Sequence, residues 1–110
     1  MVERYIDETG KKLFVILSYS AGGVQPRLLG EDRFDQVLID YLKTRAYPWV
    51  DLREEHVAEF ETFDLDADAY LKRYYIGHYA PVGNFFCAWA VKHKLVEWLD
   101  PKPQAYRDRD

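Results

Sequence analysis

The spacing of apolar positions changes several times along the chain, and each change predicts an element. Residues 2–6 and 12–19 are rich in β-branched and aromatic side chains, and Asp7, Glu8, Thr9 and Gly10 between them carry turn chemistry. This pattern predicts an N-terminal β-hairpin. Ala21, Gly22, Gly23 and Pro26 interrupt any further strand, so residues 21–30 are expected to form a loop. Over residues 32–45, Phe34, Val37, Leu38, Tyr41 and Leu42 recur at offsets of three and four, the stripe of an amphipathic helix. Asp32 is placed to cap it, Lys43 and Arg45 suit its carbonyl end, and Pro48 forbids continuation.

The segment 57–65 carries two patterns. Asp51 followed by Glu54 resembles a capping box, whereas Val57, Glu59, Glu61, Phe63 and Leu65 read as alternate positions of a strand; the strand is favoured. Residues 66–75 predict a helix with Asp66 as cap, an apolar surface from Tyr70, Leu71, Tyr74 and Tyr75, and Gly77 as its end. Asn84 then caps a last helix whose apolar face is Phe85, Phe86, Trp89, Val96 and Leu99, and which Pro101 stops. The expected fold is α+β: a small, mainly antiparallel sheet, the N-terminal hairpin plus a third strand, with about three helices packed on it. It forms a single domain over residues 1–100, followed by a polar C-terminal tail over 101–110.

Composition narrows the class. A chain of 110 residues with 48% hydrophobic and 16% aromatic content can build one core and not two, and it is too apolar for disorder. The single Cys87 has no partner for an internal disulfide, and no secretory leader is legible, so a cytoplasmic setting is expected. The longest apolar run, residues 13–17, is far shorter than the roughly 20 residues of a membrane span.

The net charge is only −4, but the charges are segregated. Between residues 51 and 68 stand eight acids (Asp51, Glu54, Glu55, Glu59, Glu61, Asp64, Asp66, Asp68) against Arg53 alone. From residue 69 to 96 there is no acid, while Lys72, Arg73, Lys92 and Lys94 interleave with tyrosines, phenylalanines and Trp89. Such blocks steer a charged partner over about a Debye length, about 8 Å at physiological salt. The plainer alternative is that the two blocks neutralise each other across the fold.

Candidate chemistry is sparse. Cys87 and His93 lie six apart, on opposite faces of a helix, so a nucleophilic dyad is not expected. His56, His78, His93 and Cys87 lack the paired spacing of zinc ligands, and the acids from Asp64 lack both the Gly and the final Glu of a calcium loop, Tyr75 standing where the Glu belongs. No metal and no cofactor is expected. The basic aromatic stretch could stack on single-stranded bases, but the neighbouring acids repel phosphate, so direct nucleic-acid binding is not favoured.

Read in order, the landmarks resemble the plasmid- and transposon-borne ArdA antirestriction proteins. They are Tyr19 with Gly22 and Gly23, the helix from Asp32, and then Glu54, Glu55, Val57, Glu59, Phe60, Glu61, Thr62 and Phe63. A second similar pattern is Tyr75, Gly77, Tyr79, Asn84 and Phe85. The resemblance implies a non-enzymatic inhibitor whose carboxylates imitate the phosphates of duplex DNA, which carries one charge per about 1.7 Å. Its partner would be a DNA-binding protein or nuclease complex, a restriction-modification or CRISPR assembly, and a homodimer could lengthen the charge row. Here the partner-binding residues would be the eight acids, provided that they share one face. An immunity protein against a different nuclease or toxin is the alternative.

Overall fold

The computed structural model describes residues 2–102 and 104–107, and it is mainly helical. In chain order the elements are α1 (Val2–Thr9), β1 (Val15–Leu17), α2 (Ala21–Leu28), α3 (Gln36–Lys43), β2 (Trp49–Asp51), α4 (Leu52–Phe60), α5 (Ala67–Tyr74) and α6 (Pro81–Trp98), followed by a 3-10 turn at Gln104–Tyr106. The expected antiparallel sheet is replaced by a two-stranded parallel ribbon, with Val15 opposite Trp49, Ile16 opposite Val50 and Leu17 opposite Asp51. A parallel pair cannot close through a tight turn, and here α2 and α3 make the crossover.

Three segments account for the difference. The expected first strand is α1, because Val2, Tyr5, Ile6 and Thr9 follow the helical period and Arg4 reaches Glu8 one turn on at 2.9 Å. Gly10, at φ +70°, ends α1 by donating its N–H to the Ile6 carbonyl. The expected third strand is α4. Asp51 accepts the amides of Arg53 and Glu54, and Leu52, Arg53 and His56 are buried, so the capping signal prevailed over the alternation. The expected loop at 21–30 is α2. Ser20 caps it by accepting the Gly23 amide, and burial of Val24 and Leu28 outweighs the donor that Pro26 lacks.

The remaining helices lie where the periodicity put them, with shifted ends. α3 begins at Gln36, and Asp35, not Asp32, holds the cap position, although its carboxylate makes no capping bond. Asp66 caps α5 by accepting the Ala69 amide at 2.7 Å, and Gly77 follows at φ +94°. α6 starts three residues before Asn84, with Pro81 at its first position, where the missing N–H costs nothing. Of the expected tail, residues 103 and 108–110 lie outside the described residues.

The main core lies among α2, α4, α5 and α6 and is built from Val24, Leu28, Ala67, Tyr70, Leu71, Tyr74, Tyr75 and Phe86. A smaller cluster of Val50, Leu52 and Val91 packs β2 against α6. No helix among the described residues is long and apolar enough to cross a membrane.

Candidate functional site

α4 supplies the centre of the molecule. Helical spacing puts His56 and Glu59 on one side of it, and α5 and α6 close over that side. His56 is wholly buried, stacked on Phe86 with ring centroids 4.1 Å apart and surrounded by Tyr70, Tyr74, Tyr75 and Tyr79. Burial disfavours its cation and lowers its pKa to about 4, so the ring is neutral at pH 7.

A neutral imidazole donates from one nitrogen and accepts at the other. Tyr70 gives its hydroxyl hydrogen to Glu59 Oε2 at 2.8 Å, so its oxygen must accept from His56 Nδ1, also at 2.8 Å. Nε2 is then the acceptor for the Tyr79 hydroxyl at 2.7 Å. The result is a directed chain, Tyr79 to His56 to Tyr70 to Glu59. Burial raises the pKa of both Tyr70 and Tyr79, and the bond to Glu59 raises Tyr70 further.

Glu59 is also the acceptor for the Tyr74 hydroxyl at 2.8 Å. Both tyrosines bind Oε2, and Oε1 has no protein donor among the described residues. The carboxylate lines a groove of about 240 Å³ whose other walls are Tyr74, Val82, Phe85, Phe86 and Trp89. Phe85 and Trp89 are 72% and 55% exposed, so the expected core face of α6 is in part an open aromatic surface. An anionic oxygen against aromatic rings suits a cationic side chain, which gains both an ion pair and contact with ring faces.

A second charged centre ties α2, α3 and α4 together. Arg33 contacts Asp35 and Glu54, each at 3.0 Å, and also Asp51; Arg27 reaches Glu54 at 2.9 Å. Arg53, 1% exposed, pairs with Asp35 and lies 4.1 Å from the Tyr19 ring. Desolvation alone would push the Asp35 carboxyl up, but hydrogen bonds from Arg33, Tyr19 and Arg53 hold it well below the ordinary range. Burial, then the bond to Asp35, pushes the Tyr19 hydroxyl up to about 12.

The eight acids therefore divide. Asp51 is buried as a cap and arginine partner, and Glu54 joins the same arginines. Glu59 faces the groove, with half-buried Glu55 one helical turn away on the same face of α4. Glu61, Asp64, Asp66 and Asp68 are exposed around the α4–α5 turn, where Asp66 caps α5 and Asp68 pairs with Lys72 at 2.9 Å.

Comparison with protein-family models, curated proteins and solved structures returns no match. The likeness to the ArdA proteins rests on the residues quoted for it. Among the described residues no group of His, Cys, Asp and Glu could hold a metal ion. The basic aromatic stretch divides: Tyr70, Tyr74, Tyr75 and Phe86 are buried, whereas Phe85, Trp89 and the four basic residues are exposed, with Arg73 4.6 Å from the Phe63 ring and Lys94 donating to the Trp49 carbonyl. Cys87 is half-buried against the smaller core cluster.

Sequence reasoning missed the groove because Phe85 and Trp89 look like core residues. It also missed the arginine centre, since Arg27 and Arg33 lie outside the acidic block. One signal was available: His56 and Glu59, polar residues three apart, amid a helix whose neighbours supply many tyrosines.

Proposed function

We propose that this protein is a non-enzymatic, inhibitory binding protein that captures a basic segment of a partner protein. The observation that carries the reading is the Glu59 carboxylate, fixed by two tyrosine hydroxyls at the wall of an exposed aromatic groove. A lysine or arginine of the partner enters the groove, and its stem packs on Phe85 and Trp89 while its charge meets Oε1. Glu55, Glu61, Asp64, Asp66 and Asp68 supply the surrounding negative field that steers it.

The partner class is a DNA-binding defence enzyme or nuclease, because such proteins display lysines and arginines where they hold phosphates. On this reading the acids imitate a short stretch of DNA backbone. Asp51 and Glu54 are not part of the contact, since their carboxylates are held by arginines of the chain itself.

The test is an NMR titration of the isotope-labelled chain with an arginine- and lysine-rich helical peptide, beside a DNA-cleavage assay with a type I restriction endonuclease. Shifts should centre on Glu59, Val82, Phe85 and Trp89 and weaken with salt, and Trp89→Ser should abolish them. Inhibition of cleavage should be lost in Trp89→Ser and in Glu59→Gln. Peptide shifts that avoid the groove, or that are insensitive to salt, would overturn the reading.

A further inference from the structure

The groove beside Glu59 is rich in ring faces and poor in acceptors, and this limits the kind of cation that it holds. Phe86 is tilted by 46° to Tyr74 and by 41° to Trp89, with ring centroids 5.3 and 6.0 Å apart, so these rings meet the groove at different inclinations. Exposed Val82 and Phe85 complete its walls. Arg73, which the chain itself sets 5.8 Å from the Tyr74 ring, does not line the groove.

Of the lining side chains, Val82, Phe85 and Phe86 carry no polar atom and Trp89 carries only a donor. The acceptors are therefore the Glu59 carboxylate and the Tyr74 phenol oxygen. Oε2 of Glu59 already accepts from the hydroxyls of Tyr70 and Tyr74, both at 2.8 Å, and the Tyr74 oxygen sits against it, which leaves Oε1 for a ligand. A lysine ammonium brings three N–H donors and a guanidinium five. A donor that is desolvated without a partner costs free energy, so most of either group has to stay in water at the mouth of the groove.

Methylation changes this count. Each methyl group on a lysine nitrogen removes one donor, adds apolar surface and leaves the positive charge. A dimethylated lysine keeps a single N–H for Oε1 and turns its methyl groups to the rings, whose faces attract the cation. A trimethylated lysine keeps the charge and loses that hydrogen bond. Resting on the reading of this groove as the capture site for a basic segment, we propose that its preferred occupant is a dimethylated lysine side chain of the partner protein. The match is one acceptor to one donor, with ring faces for the rest of the group.

Isothermal titration calorimetry tests this on the full chain, with far-UV circular dichroism as a control for folding. The probe is one arginine- and lysine-rich helical peptide whose central lysine is unmodified, dimethylated or trimethylated. The dimethylated peptide should bind on the order of tenfold more tightly than the unmodified one, with the trimethylated peptide between them. Glu59→Gln should weaken the dimethylated peptide to the level of the trimethylated one or below, because the amide oxygen stays with the two tyrosine hydroxyls and its NH2 group turns toward the cation. Trp89→Leu changes an exposed side chain, keeps it apolar and should narrow the gap between methylated and unmodified peptides. Equal affinity for the unmodified and dimethylated peptides overturns the preference and leaves the groove as a capture site for a basic segment. A trimethylated peptide that binds most tightly overturns the contact with Oε1, and an unchanged gap in Trp89→Leu overturns the role of the rings. Binding of none of the peptides overturns this inference together with the reading on which it rests.

Discussion

His56 and Tyr70 meet through Nδ1–H and the phenol oxygen at 2.8 Å, inside a cluster of aromatic rings whose burial disfavours a charged imidazole. Because the folded pKa is about 4 against 6.5 for a free histidine, the unfolded chain binds more protons between those values. The stabilisation is therefore complete above about pH 6.5 and is lost as pH falls toward 4, a change on the order of 3 kcal/mol. Urea midpoints measured from pH 7 to 4 should fall, and His56→Phe should flatten this slope while lowering the midpoint at pH 7. A slope unchanged by the substitution would assign the acid sensitivity to other groups.

Asp35 serves Arg33, Arg53 and Tyr19 together. Its removal leaves Arg53 buried and without a carboxylate, a defect that costs about 3–5 kcal/mol in comparable pairs. Asp35→Ala should lower the denaturant midpoint by that amount, and Asp35→Asn by somewhat less, since the amide oxygen can still accept. Its depressed pKa gives stability that is present above about pH 4 and lost only below it, so this contribution should survive in the range where that of His56 fades. Equal midpoints for wild type and Asp35→Ala would show that the arginines find other partners.

Why the helices of the second half were legible and the sheet was not follows from these contacts. Asp66 and Gly77 act locally, through a capped amide and a positive φ, and such signals survive in sequence, whereas Asn84 has the look of a cap although Pro81 begins α6. The β-branched content of residues 2–6 pointed to a strand, whereas the period of Val2, Tyr5, Ile6 and Thr9 was helical; composition outweighed spacing in that reading. In α4 two periods overlapped, and the Asp51 cap together with the tertiary burial of Leu52 and His56 decides between them. The exposure of Val37 and Leu38 on α3 was illegible for a different reason: a stripe shows that a surface is apolar and not what covers it.

Gly83 is required by close approach. A Cβ there would lie 2.3 Å from Tyr79 Cδ1 and 2.5 Å from the Tyr74 carbonyl oxygen, which is backbone and cannot yield. Gly83→Ala should destabilise by about 1–3 kcal/mol and displace Tyr79 from His56. Gly22 is the contrast, since a Cβ there meets nothing nearer than Ser20 Oγ at 3.9 Å. Gly22→Ala should be neutral or stabilising by about 0.5 kcal/mol. Thermal melts should show a loss for Gly83→Ala and none for Gly22→Ala, and a shared loss would contradict the open space beside Gly22.

The acids themselves can be sorted by stability. Asp51 accepts two amides at the start of α4 and holds Arg33, whereas Glu61 and Asp64 are exposed and their carboxylates make no hydrogen bond or ion pair among the described residues. Loss of a cap alone costs about 1 kcal/mol, and loss of a buried carboxylate beside an arginine adds to it, so Asp51→Ala should cost about 3 kcal/mol. The pair Glu61→Gln and Asp64→Asn should stay within about 0.5 kcal/mol of the wild type while reducing the rate at which a basic partner associates at low salt. Chemical denaturation and stopped-flow association separate the two roles: Asp51→Ala should move the first measurement, and the outer pair only the second. A large stability loss in the outer pair would mean that those carboxylates are engaged within the fold.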